Sequence, residues 1–185
     1  MYFPGLRLKL ALLACGGATA ALLAAAPAHA GTGGISATTG AGPKTVPGPK
    51  ARLVRGKAIP PAAAPPAVKL VIRAANRIRR RPYKWGGGHR KWKSRGYDCS
   101  GAVSFALHGA DFLDSPLDSR GLKRWGERGR GSWITVYTNR RHAYAVIAGL
   151  RWDTSGNRRS SGPSWHKRTR AATRGRYAVR HPGGY

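Results

Sequence analysis

The sequence predicts an α+β fold, with helices first and a small antiparallel sheet after them. Three observations carry that expectation. Apolar residues recur at spacings of three and four between residues 67 and 80. From Trp133 onward the period switches to two, with turn residues between short runs. Hydrophobic residues make up 41% of the 185, enough to bury one core, so a wholly disordered basic chain is excluded.

The first thirty residues read as a secretory signal. Arg7 and Lys9 precede a mostly apolar run from Leu10 to Ala26, and Ala28-His29-Ala30 places small residues where a signal peptidase cuts. The run is short for a membrane-spanning helix, and an uncleaved anchor is the alternative reading. Cleavage after Ala30 removes Cys15 and leaves Cys99 as the single cysteine, among 32 basic and 6 acidic residues. A lone cysteine in an exported protein is either linked between chains or kept free for a reason.

Residues 31–66 read as a disordered linker rich in Pro, Gly and Ala, without a helical or strand period. A helix is expected over about 67–80. Val68, Val71, Ile72, Ala75 and Ile78 share one face, Pro65-Pro66 precedes it and Pro82 stops it. Gly86-Gly87-Gly88 marks a turn or a close approach. A second helix is expected from about Ser100 to His108, with Gly109 as its C-cap, and a short helical piece at 119–125.

Strands follow at Trp133–Tyr137, His142–Ala148 and Arg151–Thr154, with turns at Asn139-Arg140-Arg141 and Gly149-Leu150. Residues 155–170 read as a polar loop, and Tyr177–Arg180 as a last edge strand, with 171–185 as an optional loose basic tail. A turn at Gly149-Leu150 sets Asp153 opposite Val146, on the face of His142 but further along the strand. Contact between Asp153 and His142 then needs a bulge or a longer loop.

The chemistry centres on Asp98-Cys99-Ser100-Gly101. A cysteine on the first turn of a helix lies in the field of unpaired backbone N–H groups, which favours its anion and faces a developing oxyanion. Gly101 would let a substrate backbone come close. Among His89, His108, His142, His166 and His181, His142 is the best base, because sheet geometry fixes its direction. Alone, each residue has a plainer reading: Cys99 as a small buried side chain, His142 as a strand residue, Asp153 as a turn residue or an Arg partner. His166 reads as solvated, and His89 and His108 have no nameable partner.

Pro82-Tyr83-Lys84-Trp85-Gly86-Gly87, then Asp98-Cys99-Ser100-Gly101, then His142 opening an alternating strand, resembles the NlpC/P60 family of cell-wall cysteine peptidases. The resemblance spans about residues 67–155. It implies a papain-like fold with the nucleophile at a helix N-terminus. It also implies hydrolysis of amide bonds in peptidoglycan stem peptides, between D-glutamate and a diamino acid. By that likeness Cys99 is the nucleophile, His142 the base, and Tyr83 a neighbour of the thiol at the oxyanion site. Asp98 meets the amino end of the stem peptide, and Ser100 is a further pocket residue. The family's third member lies about a dozen positions after the histidine, where this chain offers Asp153 and Thr154, with His166 a further candidate. Asp153 is the choice. The chemistry asks for no metal and no organic cofactor.

The formal charge of +28 and the pI near 11.7 admit several partners. Anionic wall polymers are one, and an arginine-rich solvated surface with no partner is another. Trp85, Trp92 and Trp125 amid Arg and Lys offer a stacking surface for nucleic acid, the less favoured option. The expectation is a secreted or cell-envelope monomer that acts on stem peptides, with no nucleic acid and no membrane after signal cleavage. The competing readings are a basic wall-binding module with an inactive site, a secreted nucleic-acid binder, and a transferase or amidase on the same fold.

Overall fold

The computed structural model describes residues 44–156, 162–167 and 177–185. The expected signal at 1–30 and the first part of the expected linker lie outside the described residues. The architecture is α+β. Two helices, α1 (Pro66–Ile78) and α2 (Cys99–His108), pack on one another. A short α3 (Ser119–Arg124) leads into an antiparallel sheet.

Helix α1 forms where its period requires. Pro66 sits in the first turn, where its missing N–H costs nothing, and Val68, Val71, Ile72, Ala74, Ala75 and Ile78 are buried. Helix α2 is buried nearly all round, from Ser100 to Leu107, so it is a central helix and not a one-faced one. Gly109 caps it in a right-handed conformation. A Cβ at Gly109 would strike the Ala74 side chain, so glycine there allows the two helices to approach.

The expected linker is corrected in its second half. Residues Arg52–Val54 (β1) and Lys57–Ile59 (β2) form an antiparallel hairpin across Arg55-Gly56. Its apolar content is low, but Ala51, Ala58 and Ala64 are buried. Asn76 of α1 anchors the hairpin: its amide donates to the Ala58 carbonyl at 2.8 Å and its oxygen accepts the Ala58 N–H at 3.1 Å. The same oxygen accepts the Trp165 indole N–H at 3.0 Å. Tertiary hydrogen bonds supply the order that local periodicity does not announce.

The main sheet has six antiparallel strands: β3 (Glu127–Arg128), β4 (Ile134–Thr138), β5 (Ala143–Ile147), β6 (Leu150–Asp153), β7 (Ser164–His166) and β8 (Ala178–His181). Their order is β3-β8-β4-β5-β6-β7. Two further expectations are corrected here. Strand β8 is not at an edge but lies between β3 and β4, and the end of the chain is not loose: the Tyr185 carbonyl accepts N–H groups from Trp133 and Ile134 at 2.7 and 2.9 Å. Residues 164–166 are not loop but the other outer strand, held by the buried Trp165. A single polar run hid a three-residue strand whose only apolar member points inward.

The β5–β6 turn falls at Ala148-Gly149, with Ile147 paired to Leu150, Val146 to Arg151 and Ala145 to Trp152. Both turn residues have positive φ, 46° and 82°, as a twist-compatible two-residue hairpin demands. A turn at Gly149-Leu150 would instead force the branched Leu150 into that region. The shift sets Asp153 across from Tyr144 in place of Val146, one pleat nearer His142. No bulge is needed.

Candidate active site

Asp98 is the N-cap of α2. Its Oδ1 accepts the Gly101 N–H at 2.8 Å, which starts the helix at Cys99. Its Oδ2 accepts the Gly86 N–H at 3.1 Å, and the Asp98 N–H donates to the Gly87 carbonyl at 3.2 Å. One aspartate thus ties the Gly86–Gly88 loop to the first turn that carries the thiol. A Cβ at Gly101 would collide with the Gly87 carbonyl, so the close approach that Gly101 permits is that of this loop, not of a substrate backbone. Gly86 and Gly88 have φ of 66° and 85°, open to glycine at little cost.

His142 stands just before β5, held by the turn before it. The Asn139 side chain accepts N–H groups from Arg141 and His142 at 2.8 and 2.9 Å, and the Asn139 N–H donates to the His142 carbonyl at 2.9 Å. The imidazole Nε2 meets Asp153 Oδ1 at 2.9 Å. The Cys99 side chain is the other hydrogen-bonding neighbour of this imidazole. Asp153 is 1% exposed. Its carboxylate accepts the Ser155 N–H at 3.0 Å and the Ser155 hydroxyl at 3.1 and 3.2 Å, and lies 3.4 Å from Arg151 Nε. Trp152, the wholly buried residue before Asp153, donates its indole N–H to the Ala102 carbonyl at 3.0 Å. That bond locks β6, and with it Asp153, against the helix that bears Cys99.

The electrostatics follow from this packing. Burial alone would lower the His142 pKa. Hydrogen bonds to the Asp153 and Cys99 side chains, and the charges of both, outweigh it and push the imidazole up to about 9. Burial would raise Asp153, but the His142 hydrogen bond and charge, the Ser155 N–H and Arg151 hold it below the usual carboxylate range. The two directions agree: the pair favours carboxylate and imidazolium together. Tyr83, bridged to Tyr97 beside the loop, has its phenol pKa raised by burial and then by the charges of Cys99 and Asp98.

Cys99 is a free thiol, partly exposed, in a cleft of about 240 Å³ whose walls include Trp85, His89, Asp98, Ser100, Arg120, Arg140 and Arg141. Of the residues expected at the site, Cys99, Asp98 and Ser100 line this cleft, while His142, paired with Asp153, and Tyr83 are not among its walls. Thr154 is buried next to Asp153, and it is Asp153 that meets His142. His166 lies on β7, half-buried, with Nε2 3.1 Å from Ser164 Oγ, which corrects its reading as a solvated loop residue.

Two participants were missed by sequence reasoning. His89 Nε2 lies 2.9 Å from Asp98 Oδ2 and 3.0 Å from Ser100 Oγ, across the Gly-rich loop. Its place directly after three glycines was the available signal. Ser155 braces Asp153, and its position two residues on, in an Asp-x-Ser turn, was the other. The tryptophans do not form one stacking surface. Trp85 is 85% exposed, but Trp92 stacks on His108 at 3.9 Å and Trp125 is packed inward, its indole donating to the Phe112 carbonyl.

Among the described residues no group of three or more His, Cys, Asp or Glu is placed to hold a metal ion, and no helix is long and apolar enough to cross a membrane. No family model matches the chain, and no curated protein does. Among solved structures, the chain is similar to Rv1477, a hypothetical invasion protein of Mycobacterium tuberculosis, at 23% identity and a TM-score of 0.47. The match covers 62% of this chain and 61% of that one.

Proposed function

We propose that this chain is an exported cysteine peptidase with a papain-like NlpC/P60 fold, hydrolysing amide bonds in peptidoglycan stem peptides at Cys99. One observation carries the reading: a half-buried His142, paired with the buried Asp153 carboxylate, also hydrogen-bonds the partly exposed Cys99 on the first turn of α2. A merely structural cysteine has no use for a hydrogen-bonded imidazole whose proton affinity a buried carboxylate has raised.

The steps follow from the residues. The His142 imidazole takes the thiol proton and Asp153 stabilises the resulting imidazolium. Cys99 Sγ attacks the amide carbonyl, and the electron pair moves to the oxygen. Backbone N–H groups at the start of α2, with the Tyr83 hydroxyl, receive that oxyanion. The imidazolium protonates the leaving amine as the C–N bond breaks, leaving a thioester. Water, deprotonated by His142, attacks the thioester; the acid leaves and the thiol is restored. The D-glutamyl–diamino acid bond is the one that the family resemblance implies. The signal-like N-terminus supports an address outside the cytoplasm.

The test is to incubate the protein with muropeptides and read the stems by mass spectrometry. Cleavage by wild type and none by Cys99→Ala is expected. Intact stems with both proteins would sink the enzyme reading. Salt-sensitive sedimentation with wall material, unchanged by Cys99→Ala, would then favour a basic wall-binding module, the reading to which the +28 charge points.

A further inference from the structure

We infer that the hollow between the β4–β5 turn, α3 and the start of β8 is an anion-binding subsite that continues the Cys99 cleft and holds an acidic group of the same polymeric substrate. The identity of that substrate rests on the hydrolase reading above; the binding chemistry does not. The hollow encloses about 570 Å³, and Lys123, Asn139, Arg140, Arg141 and Tyr177 line it. No acidic residue lines it. Arg140 and Arg141 also line the cleft of the thiol, so the two spaces share a wall.

The cations here are unopposed. Lys123, Arg140 and Arg141 are exposed, and none joins an ion pair among the described residues. The acids nearest along the cleft are already engaged: Asp98 and Asp118 each accept a backbone N–H as the N-cap of a helix, and Asp98 also faces His89. The walls are fixed as well. Thr138 Oγ1 donates to the Ser119 carbonyl at 2.9 Å, which ties β4 to α3. Arg180 Nε donates to the Lys123 carbonyl at 2.8 Å, which ties α3 to β8. The Asn139 side chain holds the N–H groups of Arg141 and His142 together, so the guanidinium-bearing turn and the imidazole move as one piece. Guanidinium groups bind carboxylate and phosphate through paired N–H donors, and a preformed wall lowers the ordering cost of doing so. The shared ligand chemistry is therefore a carboxylate or phosphate group, carried on a chain long enough to reach from this hollow to the thiol. Nucleic acid is disfavoured, because Trp92 and Trp125 are turned inward and offer no row of stacking faces.

Binding is measured in Cys99→Ala protein, so that no turnover intervenes. The probes are a fluorescent tetraglutamate peptide and its tetraglutamine counterpart, with inorganic tripolyphosphate as competitor, at about 0.15 M salt. Tetraglutamate is expected to bind and tetraglutamine not. Adding Arg140→Gln and Arg141→Gln should weaken tetraglutamate about tenfold. Arg52→Gln with Lys57→Gln, an equal charge loss on the exposed β1–β2 hairpin, should change it less than about twofold. Tripolyphosphate displacing the probe below the concentration at which unlabelled tetraglutamate does so assigns phosphate; the reverse assigns carboxylate; either supports the subsite. Equal weakening by both pairs of substitutions would reduce the effect to the overall field of the protein and overturn the inference, as would equal binding of tetraglutamine. Muropeptides left intact by wild type would sink the hydrolase reading and leave this result standing.

Discussion

Replacing Asp153 by asparagine tests the site at its most determined point. The imidazole of His142 is pushed up from 6.5 to about 9, a gain of roughly a hundredfold or more in proton affinity. That gain is achieved against burial, which pulls the other way, by four contributions, two from Asp153 and two from Cys99. The Asp153→Asn change removes the carboxylate charge and the hydrogen bond to it, and leaves burial opposed by Cys99 alone. The ring should then titrate lower, losing roughly tenfold or more in proton affinity. The assay is NMR titration of the labelled imidazole nitrogens in wild type, Asp153→Asn and Cys99→Ala. With the imidazolium weakened and its tautomer unfixed, hydrolysis of stem peptides should fall on the order of 10²- to 10⁴-fold. A ring that still titrates near 9 in Asp153→Asn would refute the reasoning, since the carboxylate would then not be what holds the proton.

Three further outcomes follow from the same contacts. In Cys99→Ala protein, where the thiol no longer titrates, a raised His142 contributes stability that is full below about pH 6.5 and is lost as pH rises through its folded pKa; urea unfolding should show that decline, and Cys99→Ala/Asp153→Asn should show it flattened. Asn76→Ala removes three hydrogen bonds, to Ala58 N, Ala58 O and Trp165 Nε1, and should cost about 2–4 kcal/mol by chemical denaturation, with the β1–β2 amides losing exchange protection first. Gly101→Ala forces its Cβ on the Gly87 carbonyl and should destabilise by about 1–3 kcal/mol, while lowering thiol alkylation rates because the Gly86–Gly88 loop must move off α2.

Both helices and the alternating strands were legible in the sequence, because a 3.6 or 2.0 period reports which face a segment buries. Helix α1 and strands β4 to β6 appear within a residue or two of where the pattern puts them. Cys99 and His142 were legible for a related reason: a helix start and a strand start are local features, and each fixes a direction. The β1–β2 hairpin was not legible, because its order comes from Asn76, eighteen residues from Ala58. Strand β7 was hidden in a polar run, since only Trp165 among its three residues is buried.

By itself the sequence determined the class of fold, the segment that bears the thiol and the strand that bears the imidazole, since these depend on neighbours a few residues apart. Only the tertiary structure decided the company those groups keep. The positive φ of Ala148 and Gly149 chose the register that carries Asp153 to His142, and the Trp152 bond to the Ala102 carbonyl pressed that strand on α2. The engagement of Asp98 by His89 and Gly86, and the wall that Arg140 and Arg141 share between two hollows, belong to the same level. The physical reason is that pairing register and helix–sheet docking are settled by burial and hydrogen bonds between residues distant in sequence, and a two-residue slip along one strand separates a bare imidazole from one paired with a buried carboxylate.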